Sequence, residues 1–332
     1  MTNPYKSYLS IGEKLDKSKF ILATFHLQSE NQPPARNASA SDAGGFDQTA
    51  GGVAAESSVG TWTDVSLQEK ILWENLRGRV VELDEKASII RIAYPLELFE
   101  PGNIPQFLSS IAGNVFGLSE VSALRLMDIE LPEVYVRSFP GPFLGIDGIR
   151  KITGISDRPF LGSIIKPKLG LSAQEHIAAS MEVYDSGIDL VKDDENLTSQ
   201  TFNNFYTRVD EGTKRMKEAG YLKEGRQKIY AYNITASYEE MLKRAEYVVD
   251  RGGNCLMMDV LTAGFASVCG IRNRNFGKII HAHRAMHAAF TRSKQYGISM
   301  LVIAKLARLA GVDSLHTGLL PAVFTRDTCL TW

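Results

Sequence analysis

The stretch "GIDLVKDDENLTSQ", residues 187–200, finishes a short apolar run with one lysine, Lys192, set against three successive acids, Asp193, Asp194 and Glu195. A strand of this composition is buried, and burying charge is costly unless the charges are paired or hold a metal. Similar runs recur on either side: FLGSIIKP starts at 160, KIYAYNIT at 228, NCLMMDVL at 254, KIIHAHRA at 278 and SLHTG at 314. Between them lie amphipathic stretches such as SAQEHIAASMEVYDSG, SYEEMLKRAEYVVDRGG and GISMLVIAKLARLAG, the last two closing on glycine as helices do. Alternation at roughly 25 to 40 residues per unit is the signature of parallel βα units. In a β/α barrel the chemistry sits at the C-terminal ends of the strands. Polar residues fall there in four of the six runs. A closed (β/α)8 TIM-type barrel takes about 250 residues. Here six runs occupy residues 160–318, which leaves only LLPAVFTRDTCLTW, so the barrel is expected to be incomplete, with about six units.

Upstream the grammar differs. KFILATFHLQ (19–28) reads as a strand, followed by the polar stretch NQPPARNASASDAGGFDQTAGG (31–52), which reads as a mobile loop or insertion. A helix start around VAAESS, β-rich runs in GRVVELD and SIIRIAYPLELF, the apolar helix IPQFLSSIAGNVFGL and a strand in SALRLMDIELP complete the segment. Strand, helix, strand, strand, helix, strand predicts a ferredoxin-like α+β domain. The Pro/Gly-rich SFPGPFLG (138–145) marks the boundary, giving an N-terminal domain at 1–137 and a barrel domain at 138–332.

The 332 residues are 44% apolar and 23% charged, ordinary globular material. Thirty-seven basic against 38 acidic residues leave a net charge of -1, with no basic run suited to nucleic acid or an anionic membrane. Cys255, Cys269 and Cys329 form neither a disulfide framework nor a zinc pattern. The N-terminus lacks a signal-peptide core and no eighteen uncharged apolar residues run together, so a soluble cytoplasmic protein is expected.

Lys166 and Lys168, two residues apart, are expected to share a strand face, where an ammonium pair binds an anion or moves a proton; two solvated lysines flanking a proline are the alternative. By the same period Lys192 and Asp194 share a face, and Glu195 joins them where the strand opens. Two carboxylates and a third oxygen suit magnesium. An ammonium has no lone pair to offer. A lysine converted by carbon dioxide to a carbamate supplies the oxygen, whereas the bland alternative is an acidic turn with a Lys/Asp pair. His281 and His283 form an HxH at a strand end, a rival zinc motif, although barrel hydrolases carry theirs before the carbamylated lysine rather than after it. His26 and His287 read as structural; His316 fits the barrel mouth.

Taken together, "AAESSVGTWTDV" (54–65), "GNVFGLSEVSALRLMDIELP" (113–132), "IIKPKLGLS" (164–172), "KDDENLTSQ" (192–200), "HAHRAMHAAFTR" (281–292) and "LARLAGVDSLHTG" (306–318) resemble the large subunit of ribulose-1,5-bisphosphate carboxylase/oxygenase, in wording closest to its archaeal form III. The resemblance implies addition of CO2, or O2, to ribulose 1,5-bisphosphate through a Mg2+-stabilised enediolate, giving 3-phosphoglycerate on carboxylation. It implies a carbamate on Lys192, with Mg2+ held by Lys192, Asp194 and Glu195. Lys166 becomes the catalytic lysine with Lys168 supporting its ionisation, His283 a proton-transfer group, and Arg284 and His316 phosphate ligands. Glu56, Thr61, Trp62 and Asn114 are implied to reach into a neighbouring subunit's barrel mouth, so a homodimer, or a higher oligomer of dimers, is the expected unit. The resemblance lapses after Gly318, where Val323 stands about where the family has a loop lysine; a truncated or frameshifted C-terminus, low solubility and weak carboxylation are therefore expected. The alternatives are a carboxylase-like enolase or isomerase on another sugar phosphate, and a non-catalytic remnant.

Overall fold

Strand β1 (Phe20–Ser29) buries Ile21, Leu22, Ala23, Phe25 and Leu27, and is the centre of the first sheet in the computed structural model, which describes residues 4–29, 45–60 and 73–317. It pairs antiparallel with β3 (Ile89–Pro95) and β4 (Val121–Glu130), while β2 (Arg79–Asp84) pairs with β3. The order β4-β1-β3-β2, with helices Phe46–Glu56 and Ile104–Ile111 in the two connections, is the ferredoxin-like arrangement.

One boundary moves. Residues 46–52, read from sequence as part of a loop, form the first half of a helix that ends, rather than starts, at VAAESS. Their small side chains misled the reading because they serve a close approach: a Cβ on Gly51 would lie 2.4 Å from the Tyr5 carbonyl oxygen. Residues 30–44 lie outside the described residues.

The second sheet holds all six expected strands, β5 (Gly162–Ile164), β6 (Leu190–Lys192), β7 (Ile229–Asn233), β8 (Cys255–Asp259), β9 (Ile279–His283) and, last in the chain, Ser314–Leu315. All neighbours pair in parallel, and the sheet is a partial α/β barrel. The anticipated helices are Ala173–Asp185, Tyr238–Arg251 and Met300–Leu309. Two more, Phe205–Glu218 and Phe265–Asn273, escaped the sequence reading. The first hides because its buried stripe includes Arg208, Gly212 and Thr213 in place of an apolar repeat. Between β9 and the last strand, β10 (Gly297–Ile298) leaves the barrel to pair in parallel with β4; we number Ser314–Leu315 β11.

Side chains alternate across this sheet. Val191, Tyr230, Tyr232, Leu256, Met258, Ile280 and Ala282 face outward into the main core with the helices. Leu190, Ile229, Ala231, Cys255, Met257 and Ile279 form a separate inner cluster, closed from below by Ile149 of helix Gly145–Thr153. The same alternation carries Lys192, Asn233, Asp259, His281 and His283 inward at the opposite, C-terminal ends. Buried Cys255 is therefore a packing residue, and burial pushes its thiol well up.

Carboxylates at the N-terminal ends close backbone instead. Asp313 accepts from the amides of Leu144 (2.7 Å), Gly145 (2.8 Å) and Ile280 (2.9 Å), fixing the start of the plug helix to the sheet. Asp189 takes both terminal nitrogens of Arg158, at 2.6 and 2.8 Å, and the Leu161 amide at 2.9 Å. Replacing Asp313 with Ala strands three amides, the Ile280 one in a buried position, and is expected to lower stability by about 3 kcal/mol, read as a shift of the urea midpoint at unchanged slope.

Candidate active site

The chain turns sharply where β6 ends, and Asp193, Asp194 and Glu195 part company. Asp193 is completely buried and faces away from the mouth. Arg208 Nε donates to it at 3.1 Å, Tyr230 Oη at 2.8 Å and the Asn233 amide at 2.9 Å, with His176 Nε2 3.4 Å away. Burial works to raise its pKa, but Arg208, itself fully buried, together with His176 and the Asn233 amide, holds the carboxyl at about 2. Asp193 is thus an internal anchor, and it leaves Asp194 and Glu195 to the mouth.

Asp194 is 1% exposed and accepts from Lys166 Nζ at 2.9 Å and from the Asn196 amide and side chain at 3.1 and 2.9 Å. Burial works to raise it, yet these hydrogen bonds hold the carboxyl below its ordinary range. Lys192, also buried, donates to the Asp193 carbonyl at 2.9 Å and stands 3.4 Å from Glu195 Oε2. His283 Nε2 lies 3.5 Å from the same Glu195 oxygen, and its ring centre 5.1 Å from that of His316. Against the upward push of burial, the Glu195 backbone amide, His283 and Lys192 keep the Glu195 carboxyl low.

The two lysines do not share a strand face as expected. Strand β5 stops at Ile164, so Lys166 and Lys168 leave the pleat: Lys166 turns onto Asp194, while Lys168 stays exposed and makes no hydrogen bond or ion pair with the described residues. Strand β6 likewise ends at Lys192, and Asp194 reaches the mouth through a turn closed by the Leu197 amide on its carbonyl, 2.9 Å.

His281 sits inward with Nδ1 2.8 Å from Ser314 Oγ and Nε2 without a partner among the described residues. Burial first, then Lys192 and the neighbouring histidines, push it down to about 3, so it stays neutral. The HxH pair therefore splits its tasks, one ring on Ser314 and the other between Glu195 and Asp259. Among the described residues no three His, Cys, Asp or Glu side chains gather at metal-binding spacing. Burial lowers the pKa of Arg284, whose Nη1 lies 3.2 Å from His287 Nδ1, in keeping with a structural His287. His316 is lowered by burial and then by His283, Lys192 and Arg284. Glu56 ends the helix Phe46–Glu56 and Asn114 opens a short turn in the first domain; neither has a hydrogen bond or ion pair to the mouth among the described residues. Thr61, Trp62 and Val323 lie outside the described residues. Sequence reading missed the Asp193 anchor and Asp259, although Asp259 ends NCLMMDVL at the inward phase of its strand.

Residues 18–135 match the N-terminal domain, and 145–325 the catalytic domain, of the ribulose bisphosphate carboxylase large chain. The chain belongs to that family. It is 47% identical over 280 residues to the ribulose bisphosphate carboxylase of Methanocaldococcus jannaschii, covering 82% of this chain and 66% of the relative. With that of Methanosarcina barkeri the identity is 43%, covering 82% and 64%. It thus spans slightly under two thirds of the length of these relatives. Among solved structures, the dimeric archaeal Rubisco from Hyperthermus butylicus superposes with a TM-score of 0.82 at 41% identity, over 94% of this chain and 71% of that one. The octameric Rubisco from Pyrococcus horikoshii, in complex with sulfate ion, gives 0.84 at 36%, over 97% and 74%. The enolase or isomerase alternative finds no support in these relatives. As in the family, the fold joins an α+β domain to a β/α barrel domain, and no described helix is long and apolar enough to cross a membrane.

Replacing Asp193 with Asn leaves the fully buried Arg208 guanidinium without its counter-charge and is expected to cost about 3–5 kcal/mol. The Asp193 carboxyl is depressed in the folded state, so its contribution is complete above the ordinary carboxylate range and fades as pH falls through about 2. Urea midpoints of the parent and Asp193→Asn chains should differ fully near neutral pH and converge in strong acid.

Proposed function

We propose that this chain is an archaeal-type ribulose-1,5-bisphosphate carboxylase/oxygenase large subunit, adding CO2, or O2 in the side reaction, to the enediolate of ribulose 1,5-bisphosphate. Carboxylation, hydration and cleavage then give two molecules of 3-phosphoglycerate. The observation that carries the reading is a buried Lys192 next to Glu195, with Asp194 at the same barrel mouth and with Lys166 and His283 touching that pair of acids.

The donor set fits Mg2+ on one condition. Asp194 and Glu195 offer hard carboxylate oxygens held in the ionised form, but an unmodified Lys192 offers only N–H donors. A carbamate formed by carbon dioxide on Lys192 turns it into the third anionic ligand. When bound, the ion supplies Lewis acidity to the substrate's oxygens.

The remaining roles belong to the protein's own groups. Lys166, exposed yet hydrogen-bonded to Asp194, carries protons to and from the substrate carbons, and Lys168 lies two residues on to bias its charge. His283 moves a proton at Nε2, which faces the mouth. Arg284 and His316 take one phosphate; Glu56, Thr61, Trp62 and Asn114 serve the mouth of a second copy, so the working unit is a homodimer or an oligomer of dimers. Holding both substrate ends fixes the middle carbons against Lys166 and Lys192. A cytoplasmic location accords with this chemistry.

Full-length chain treated with carbon-13 bicarbonate and Mg2+ is expected to show a carbamate carbon resonance that disappears in Lys192→Met. Exchange of the bisphosphate's carbon-bound proton with solvent should fall by at least about 100-fold in Lys166→Met. A carbamate signal that persists without Lys192, or exchange indifferent to Lys166, would refute the proposal.

A further inference from the structure

In the pairing of β8 with β9, Asp259 stands directly opposite His283. Both point to the inner face and both are buried, at 4% and 8% exposure. Asp259 Oδ1 has no hydrogen-bond partner among the described residues, and His283 Nδ1 is 3.4 Å from it. That separation is longer than a finished hydrogen bond, as contacts in an active site commonly are before a ligand enters. A buried carboxylate oxygen left without a donor is among the costliest groups a fold can carry.

A second group competes for the same nitrogen. The Ala285 amide donates toward His283 Nδ1 at 3.1 Å, which requires a lone pair there, whereas Asp259 requires a proton there. The two demands specify opposite tautomers. Ala285 is only half-buried, whereas Asp259 Oδ1 is buried and has no partner among the described residues. The asymmetry favours Asp259.

We propose that Asp259 is a positioning residue for His283: it holds the proton on Nδ1 and thereby leaves the Nε2 lone pair facing the mouth, beside Glu195. The proposal rests on the reading of His283 as a proton-transfer group. An Nε2 that already carried a proton could donate but not accept. With Asp259 beneath it the ring is oriented as a base, and its plane is set by strand register rather than by a flexible loop.

The test reads the tautomer directly. In full-length chain labelled with nitrogen-15 histidine, at a pH well above the ordinary imidazole range, ring-nitrogen chemical shifts should show His283 protonated at Nδ1 and bare at Nε2. His283→Gln identifies its signals. Asp259→Asn, whose amide can donate to Nδ1, should move His283 toward the Nε2–H form, as the same exchange does in other His–Asp pairs. A parent chain already in the Nε2–H form, or a tautomer unchanged by Asp259→Asn, overturns the proposal; if that variant fails to fold, the parent spectrum alone decides. Substrate proton exchange separates the two claims. An Nδ1–H ring in a chain whose exchange survives His283→Gln supports the pairing and defeats the proton-transfer role.

Discussion

At the exit of β6 a fully buried carboxylate meets a fully buried guanidinium, and the turn that follows is built around that contact. Asp193 accepts from Arg208 and Tyr230 and from the Asn233 amide, so it ties together β6, β7 and the helix Phe205–Glu218. Two unit charges inside a protein are tolerable only when their hydrogen-bonding capacity is used up. Arg208 meets this condition through further bonds to the Asn203 side chain (2.7 Å) and the Thr198 carbonyl (2.8 Å). Because Asp193 is drawn outward, the residues on either side of it, Lys192 and Asp194, are presented to the barrel mouth. The Asn233 side chain also donates to the carbonyls of Asp194 (3.3 Å) and Glu195 (3.1 Å), which steadies the loop carrying both acids.

Acidic residues at the two ends of the sheet do different work. At the N-terminal ends Asp189 and Asp313 are saturated by Arg158 and by backbone amides, and nothing about them remains available for a ligand. At the C-terminal ends Asp259 retains an oxygen without a partner among the described residues, and Glu195 is shared loosely between Lys192 and His283. Asp259 Oδ1 and His281 Nε2, both without a partner among the described residues, lie where parallel barrels keep their chemistry.

The two domains share more than a linker. Strand β10 extends the first sheet, Lys305 reaches the Asp128 carboxylate at 2.6 Å and the Ile129 carbonyl at 2.8 Å, and Arg125 binds the carbonyls of Ser293 and Thr291. The main hydrophobic cluster runs without a break from Phe25 and Phe107 in one domain to Tyr230 and Met258 in the other. Such a joint holds β4 and the end of the barrel in one fixed relation.

Much of this was legible along the chain. Six short apolar runs separated by helical stretches are a local property, and each run became a strand. The cluster Lys192, Asp194, Glu195, His283 and His316 was legible too, because residues at strand exits of parallel units must converge. Other features were set by contacts between residues far apart in sequence, which no periodicity records. The helix Phe46–Glu56 was hidden in small residues that only the approach of Tyr5 explains, and Lys168 parted from Lys166 because β5 ended two residues before Lys166. The sequence by itself determined that Lys192, Asp194, Glu195, His283 and His316 gather at the mouth. Only the tertiary structure decided which acid of the Asp193–Asp194–Glu195 series is spent as an internal anchor and which face the mouth, because that choice depends on Arg208, Tyr230 and Asn233 arriving from other elements to bind one of them.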